Sequence, residues 1–519
     1  MIRHLIRKEL LINLLSLRFA LGLVIVALMI GLVGYILMED YVARHQTYLS
    51  DVQRHREALR QFKVYSPIEV IVDIPPSPLS VFSRGVKDLP SSIRVSPYHI
   101  PSLLEGGSGT GIDLWGTSDR PHNPLLRIFT PIDLSLVISM ILSLFVLLLV
   151  FDSFSGEREQ GTLGLILSYP VGRIQLLIGK FLGALLTIAV PLTIGFLEVL
   201  LLWSFSPDIA LDASSWAGIG LIYLFSLIFL SGFLALGLLV SLFAKESSSG
   251  LMYLLLVWVV VAVVIPKGGG YLAEYARPRE ARRNVVEKLR EEWNRFYEAF
   301  RKVKYQQKGS WWYANRDDMG GESFLGITEE EVYNRLEYNK KVYPLKFQYA
   351  EDRYRVMEHY ATGLRRWSRI RDDLIRPSLC VLYWNIVKAI SGTDIATYDA
   401  ALGRARRYRE ALMGYLRPKV GTPEWFTRAL EYPDMQPTEG NRRYWNKLEE
   451  KEGEGAISRK ILNWDRVASL DLSAMPQPHI EYPDLAERLA GVTTDVFLLV
   501  GITGLFLGLA AMRVLGYTP

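Results

Sequence analysis

Cysteine is nearly absent. Of 519 residues only Cys380 carries a thiol, so no disulfide can close within the chain, and any part outside the cytoplasm is held by packing. Histidine is scarce as well: the seven present show no HExxH and no paired ligand spacing, and His45 and His55 do not share a helix face well. No metal site is expected. A phosphate-cradling GxxxxGK[ST] is missing, because Gly179-Lys180 runs into Phe181 and the GGSGTG at 106–111 has no Lys-Ser/Thr behind it. That glycine-rich run reads as a flexible turn, and the chain brings no ATPase motif of its own. An excess of one charge is lacking too. The net charge is +5, with bases interleaved with acids, which argues against a nucleic-acid partner.

Long apolar runs are what the sequence has in abundance. Windows at 19–38, 133–151, 177–203, 217–243, 250–266 and 491–515 are long enough to cross a bilayer. The first lacks the small-residue cleavage pattern of a secretory signal and is expected to stay as an anchor. Before it, residues 1–18 set Ile2, Leu5, Ile6, Leu10 and Leu14 at helical spacing with Arg3, Arg7 and Lys8 between them, the pattern of a helix lying in the membrane interface. The alternative is that these are the first turns of the span. Short-loop charges favour both termini inside: four bases against one acid in the first 18 residues, no base and two acids at 204–216. Gly179-x-x-x-Gly183 and Gly504-x-x-x-Gly508 are close-packing patterns. The expected fold is mainly α, a polytopic membrane protein with six transmembrane helices. Two inserts lie outside the membrane: a small α+β domain at 39–132 and a large, mostly helical one at 267–490.

In the first insert, a polar helix over 41–62 precedes a strand-like run at Ile68–Ile74 that ends in Pro75-Pro76. In the second, Val286, Leu289, Trp293, Phe296, Phe300 and Val303 recur in steps of three and four, as do Val356, Tyr360, Trp367, Ile370 and Leu374. They predict an antiparallel helical arm, followed by helices at 377–391 and 395–416 and irregular chain to 490. Trp311-Trp312-Tyr313 points to a binding surface only if it faces solvent. A hydrolase in this insert has no support: His359 and His479 are its only histidines, with no Ser/His/Asp constellation around them.

One polar stretch falls on the basic side of the membrane, DSFSGEREQGTLGLILSYPVGRIQLLIGK at 152–180. It has a charged cluster (Glu157, Arg158, Glu159), then Gly161-Thr162, an amphipathic segment (Leu163, Leu165, Ile166, Leu167), Pro170, and a new helix near Arg173. A short polar-faced helix held between two spans can receive a push from a soluble partner; the plain alternative is a solvated loop. Glu198 is an acid inside a span, which points to a polar path or a dimer seam. Near the outer end, however, its carboxylate can also reach water. Lys267 and Asp495, at span ends, read as interfacial anchors.

The stretch SGEREQGTLGLILSYPVGRIQLLIGK resembles the cytoplasmic loop of ABC-2 type transporter permeases, as do the six-span layout, the basic first helix and FAKESSSGLMYLLLVWVVVAVVIP. PPSPLSVFSRG at 75–85, NPLLRIFTPID at 123–133 and SGTD at 391–394 resemble a subgroup with large extracytoplasmic inserts. The resemblance covers the spans and domain edges and says little about 279–375 and 417–490. It implies a dimer of identical or homologous permeases in the cell membrane, driven by two cytoplasmic ABC ATPase subunits that carry the ATP and Mg; no cofactor is expected in this chain. It also implies that Glu157, Arg158, Glu159, Gly161 and Thr162 in the 152–176 loop dock in the ATPase groove. The reading that follows is the membrane subunit of an ATP-driven exporter. Its rival is a mechanical transmitter that moves no cargo and acts through its outer domain on envelope proteins.

Overall fold

A computed structural model describes residues 2–85, 90–103, 132–168, 172–205, 211–275, 281–311, 314–316, 322–324, 326–432, 438–453, 467–478 and 483–516. The chain begins with α1 (Ile2–Leu14) and α2 (Leu17–Arg60). Ser16 separates them by accepting the Phe19 amide on its hydroxyl, an N-cap for α2. With no proline or glycine between 35 and 60, α2 has nothing to stop it where the apolar run ends, and it continues as a polar helix. Strands β1 (Val70–Asp73) and β2 (Ser92–Val95) then pair antiparallel, with Val70 opposite Val95.

Helix α3 runs through Leu134–Val137, a π turn at Ile138–Leu142, and Ser143–Val150. Two short helices follow, α4 (Ser155–Glu159) and α5 (Thr162–Ser168), then α6 (Arg173–Ser204) and α7 (Ala213–Phe243). Helix α8 comprises Ser247–Val259, a second π turn at Val260–Val264, and Ile265–Tyr275. Beyond it come α9 (Ala281–Lys302), the paired strands β3 (Ala314–Arg316) and β4 (Glu322–Phe324), and α10 (Glu329–Ile375). The chain then forms α11 (Leu379–Ser391), α12 (Ile395–Leu416), α13 (Glu439–Glu452), α14 (Leu485–Ala490) and α15 (Thr493–Leu515). Among the described residues six helices are long and apolar enough to cross a membrane: α2, α3 continued through α4, α6, α7, α8 and α15. The protein is mainly helical, and among the described residues there are two small two-stranded sheets.

Two large apolar cores organise the chain. The first joins the inward faces of the six spans, and α11 lies in it with Leu379, Cys380, Leu382, Tyr383, Ile386, Val387 and Ile390. The sequence places 377–391 in the outer insert; the structure puts this helix among the spans instead. Its 13 residues reach about 20 Å, too short to cross. Polar groups on it and at its N-cap find partners inside the bundle. Trp384 donates its indole N–H to Ser139 Oγ at 2.8 Å, Tyr383 and Ser226 share a hydrogen bond of 2.8 Å, and Ser378 donates to the Val261 carbonyl at 2.6 Å. Ser139 and Val261 both lie in the π turns, where the regular ladder is interrupted.

The second core draws on both inserts, with Tyr65, Val70 and Val95 beside Tyr343, Leu402, Leu412 and Trp425. The two inserts therefore fold as one body. They also meet at Gly85, whose φ of +58° suits only glycine and whose α-carbon abuts the Thr393 carbonyl with no room for a side chain. Asp495 departs from its expected role as an interfacial anchor: it is buried and bonded to Arg376 at 3.1 Å, at the corner between α10 and α11. In the arm, Leu289 packs with Met357 and Ala361, and Trp293 and Phe296 pack on Tyr349. Ile370 and Leu374, expected in that seam, are half exposed, because the lower end of α10 leans on α8 at Gly269. Trp311 packs edge-on against Phe324. Trp312, Tyr313, GGSGTG at 106–111, most of NPLLRIFTPID, His479 and Pro170 lie outside the described residues.

Candidate functional site

The polar stretch between α3 and α6 folds as an elbow with two unlike faces. Phe154 and Ser155 enter it with both backbone amides donating to Ser241 Oγ of α7, at 3.0 and 3.1 Å. One turn later the charged cluster points at the protein's own body. Glu157 Oε1 accepts from the Lys180 ammonium at 2.8 Å; Lys180 belongs to α6 and is almost wholly buried. The same ammonium reaches Glu9 of α1 at 3.2 Å and sits over the Phe154 ring. Arg158 donates to the carbonyls of Leu242 and Ala244, the free acceptors at the end of α7. Glu159 accepts the Ser247 backbone N–H and its hydroxyl, both at 2.8 Å, at the start of α8.

The three consecutive charges thus bind three different helices, α6, α7 and α8. Neighbouring contacts extend the hub: Arg18 at the start of α2 pairs with Asp152 at 2.7 Å, and Arg173 of α6 donates to the Leu515 carbonyl of α15 at 2.6 Å. Thr162 donates to the Glu157 carbonyl at 3.1 Å and closes the turn. Gly161 makes that turn with φ +70°, and a β-carbon there would meet nothing within 4 Å among the described residues. On α5, Leu163 is buried and Ile166 packs inward, whereas Gln160, Gly161, Gly164, Leu165 and Ser168 are exposed. Leu165, at 61% exposure, is a large apolar side chain left facing out beside two glycines.

The site residues predicted from sequence are therefore brought together, with Glu157, Arg158 and Glu159 on the inward face and Gly161 on the outward one. Glu198 is not part of this group. It lies farther along α6 against Gly31 of α2, and its Oε2 is buried with no hydrogen-bond partner among the described residues. Sequence reasoning missed Lys180 and Glu9. A lysine on the apolar face of a span was the available signal, since burying an ammonium demands a carboxylate partner. Gly179-x-x-x-Gly183 serves that pairing: Leu5 sits over Gly179, and Glu9 with the Ile6 carbonyl over Gly183, so α1 approaches α6 closely enough for Glu9 to reach Lys180. Gly504 and Gly508, by contrast, face open space: a β-carbon there would meet no other described part of the chain within 4 Å.

Six helices long and apolar enough to span a membrane, with a polar elbow between the second and third, define a polytopic membrane protein. Residues 3–310 match the family model described as ABC-2 family transporter protein, and the chain belongs to that family. It is a multi-pass membrane protein, the membrane subunit of an ABC transporter. It is 38% identical over 117 residues to the probable ABC transporter permease protein NosY of Pseudomonas aeruginosa, and 35% identical over 117 residues to the protein of the same name from Stutzerimonas stutzeri. Each match covers 22% of this chain and 42% of the relative, so the chain spans about two-fifths of the length of these curated relatives.

Proposed function

We propose that the chain is the permease of an ATP-driven exporter, with α4 and α5 as the element that receives work from separate ATPase subunits on the inner face. The observation that carries this reading is the two-faced elbow. Its charges are spent on α6, α7 and α8, and its small, apolar face is left open. Displacing the elbow displaces those three helices together, because each is tied to it by a charge-assisted bond. In this arrangement Glu157, Arg158 and Glu159 carry force into the bundle, while Gly161, Gly164 and Leu165 meet the ATPase groove. Both termini face the cytoplasm, the outer body faces away from it, and a second permease copy or a homologue completes the pathway.

Two variants test the assignment in the reconstituted complex. Leu165→Glu, on the exposed face, is expected to abolish permease-stimulated ATP hydrolysis with membrane insertion unchanged. Glu157→Lys with Glu159→Lys is expected to abolish stimulation by breaking the inward bonds. Normal stimulation in both variants rejects the coupling role. Transmission without cargo is favoured by one observation, that α11 fills the bundle where the outer body joins it. Under that reading, ATP turnover alters the outer arm at α9 and α10 with no substrate gradient formed.

A further inference from the structure

The elbow reading gives α1 no task, yet α1 supplies one of the two carboxylates that hold Lys180. That ammonium is 3% exposed and is shared between Glu9 at 3.2 Å and Glu157 at 2.8 Å. Two carboxylates compete for one buried cation, so the joint is one positive charge short. Glu157 is held through one oxygen only, since its Oε2 is buried with no hydrogen-bond partner among the described residues. A small shift of Glu9 therefore changes how firmly Lys180 holds Glu157, and Glu157 is part of the elbow. Gly179 and Gly183 keep α1 pressed on α6, so α1 cannot move without moving Glu9.

The other face of α1 shows what moves it. Leu5, Ile6 and Glu9 turn inward, whereas Arg3, Arg7 and Lys8 are exposed, and Leu11, Ile12 and Leu15 are exposed beyond them. Three bases ahead of exposed apolar side chains suit a helix lying in the headgroup layer, with its cations drawn to anionic lipid. We infer that α1 senses anionic lipid headgroups and that the Glu9–Lys180–Glu157 joint relays its position to the elbow, so that the drive accepted from the ATPase depends on the charge of the adjoining leaflet. This rests on the elbow being the coupling element. Glu9 and Lys180 act as positioning residues, since neither meets cargo or nucleotide.

Hydrogen exchange of 155–168 in the full chain tests the inference, with the protein in nanodiscs of phosphatidylcholine alone or mixed with phosphatidylglycerol. A severalfold difference between the two lipids is expected in the unaltered protein. It is expected to vanish in Glu9→Gln, and also in the triple variant Arg3→Gln, Arg7→Gln, Lys8→Gln, which leaves the joint intact. Equal exchange in both lipids, or a lipid response that survives Glu9→Gln, overturns the inference. If inorganic phosphate added to phosphatidylcholine discs reproduces the change, the basic face answers to a soluble anion and the lipid assignment is overturned. Normal ATPase stimulation in both Leu165→Glu and the Glu157→Lys, Glu159→Lys variant would reject the coupling role separately, because the exchange readout needs no ATPase.

Discussion

Trp384 and Ser139 meet at 2.8 Å, the indole of α11 donating to the hydroxyl in the π turn of α3. This bond pins a helix that belongs in sequence to the outer insert deep among the spans. The body formed by the two inserts and the membrane bundle are therefore mechanically continuous: Ile390 at the end of α11 packs near Gly218 of α7, and Leu379 at its start packs near Gly232. Movement of the spans reaches the outer body through packed side chains and not through a loose linker.

Trp384→Phe keeps the ring and removes the donor. It is expected to destabilise the bundle by about 1 kcal/mol, read as a lower melting temperature in detergent. Cys380, fully buried beside Ser139, is then expected to react faster with maleimide. Unchanged melting and unchanged labelling would place α11 outside the bundle.

Gly161 and Gly164 have equally open surroundings but different backbones, since only Gly161 has positive φ. Gly161→Ala is expected to strain the turn by about 1–2 kcal/mol and to speed hydrogen exchange across α5. Gly164→Ala is expected to slow that exchange, because alanine favours the helix by about 1 kcal/mol. Equal effects of the two substitutions would contradict the turn geometry.

Gly85 has both a positive φ and the Thr393 carbonyl against it. Gly85→Ala is expected to cost more than the ~1 kcal/mol of backbone strain alone, because 75–85 must also pull away from 391–394. Gly414→Ala in α12, where nothing lies within 4 Å, serves as the control and is expected to be neutral or stabilising. Differential scanning calorimetry of the purified chain separates them.

His99 lies in the outer body, where burial, with Arg353, Arg94 and Arg409 nearby, lowers its pKa from 6.5 to about 3. The unfolded chain binds the proton at higher pH than the folded one does. Stability is therefore expected to rise with pH between about 3 and 6.5, by at most about 1.4 kcal/mol per pH unit, and to fall again as the pH drops through that window. His99→Gln is expected to flatten this dependence. A melting curve that keeps its full slope in the variant would assign the effect to other groups.

Much of this architecture was legible before folding. The spans announce themselves because a bilayer demands runs of apolar residues of fixed length. The elbow announces itself because charges between two such runs must lie at a membrane surface. The strand at 68–74 was visible as well, but its partner Ser92–Val95 was not, since pairing across a loop leaves no local period. The α9–α10 arm was legible from its three-and-four spacing, although the lower end of that seam was misassigned at Ile370 and Leu374.

By itself, then, the sequence determined the number of membrane helices, the elbow between the second and third, and the helical character of the large insert. These follow from hydropathy and helical period, which are properties of neighbours along the chain. Only the tertiary structure decided that α11 enters the bundle, because a thirteen-residue, mostly apolar helix suits an ordinary core as well as half a membrane. It alone decided that both inserts share one core, and that Glu157 and Glu9 share Lys180 across 23 and 171 residues of chain. A buried charge takes its partner from whichever helix packs beside it, and that choice is made by the fold.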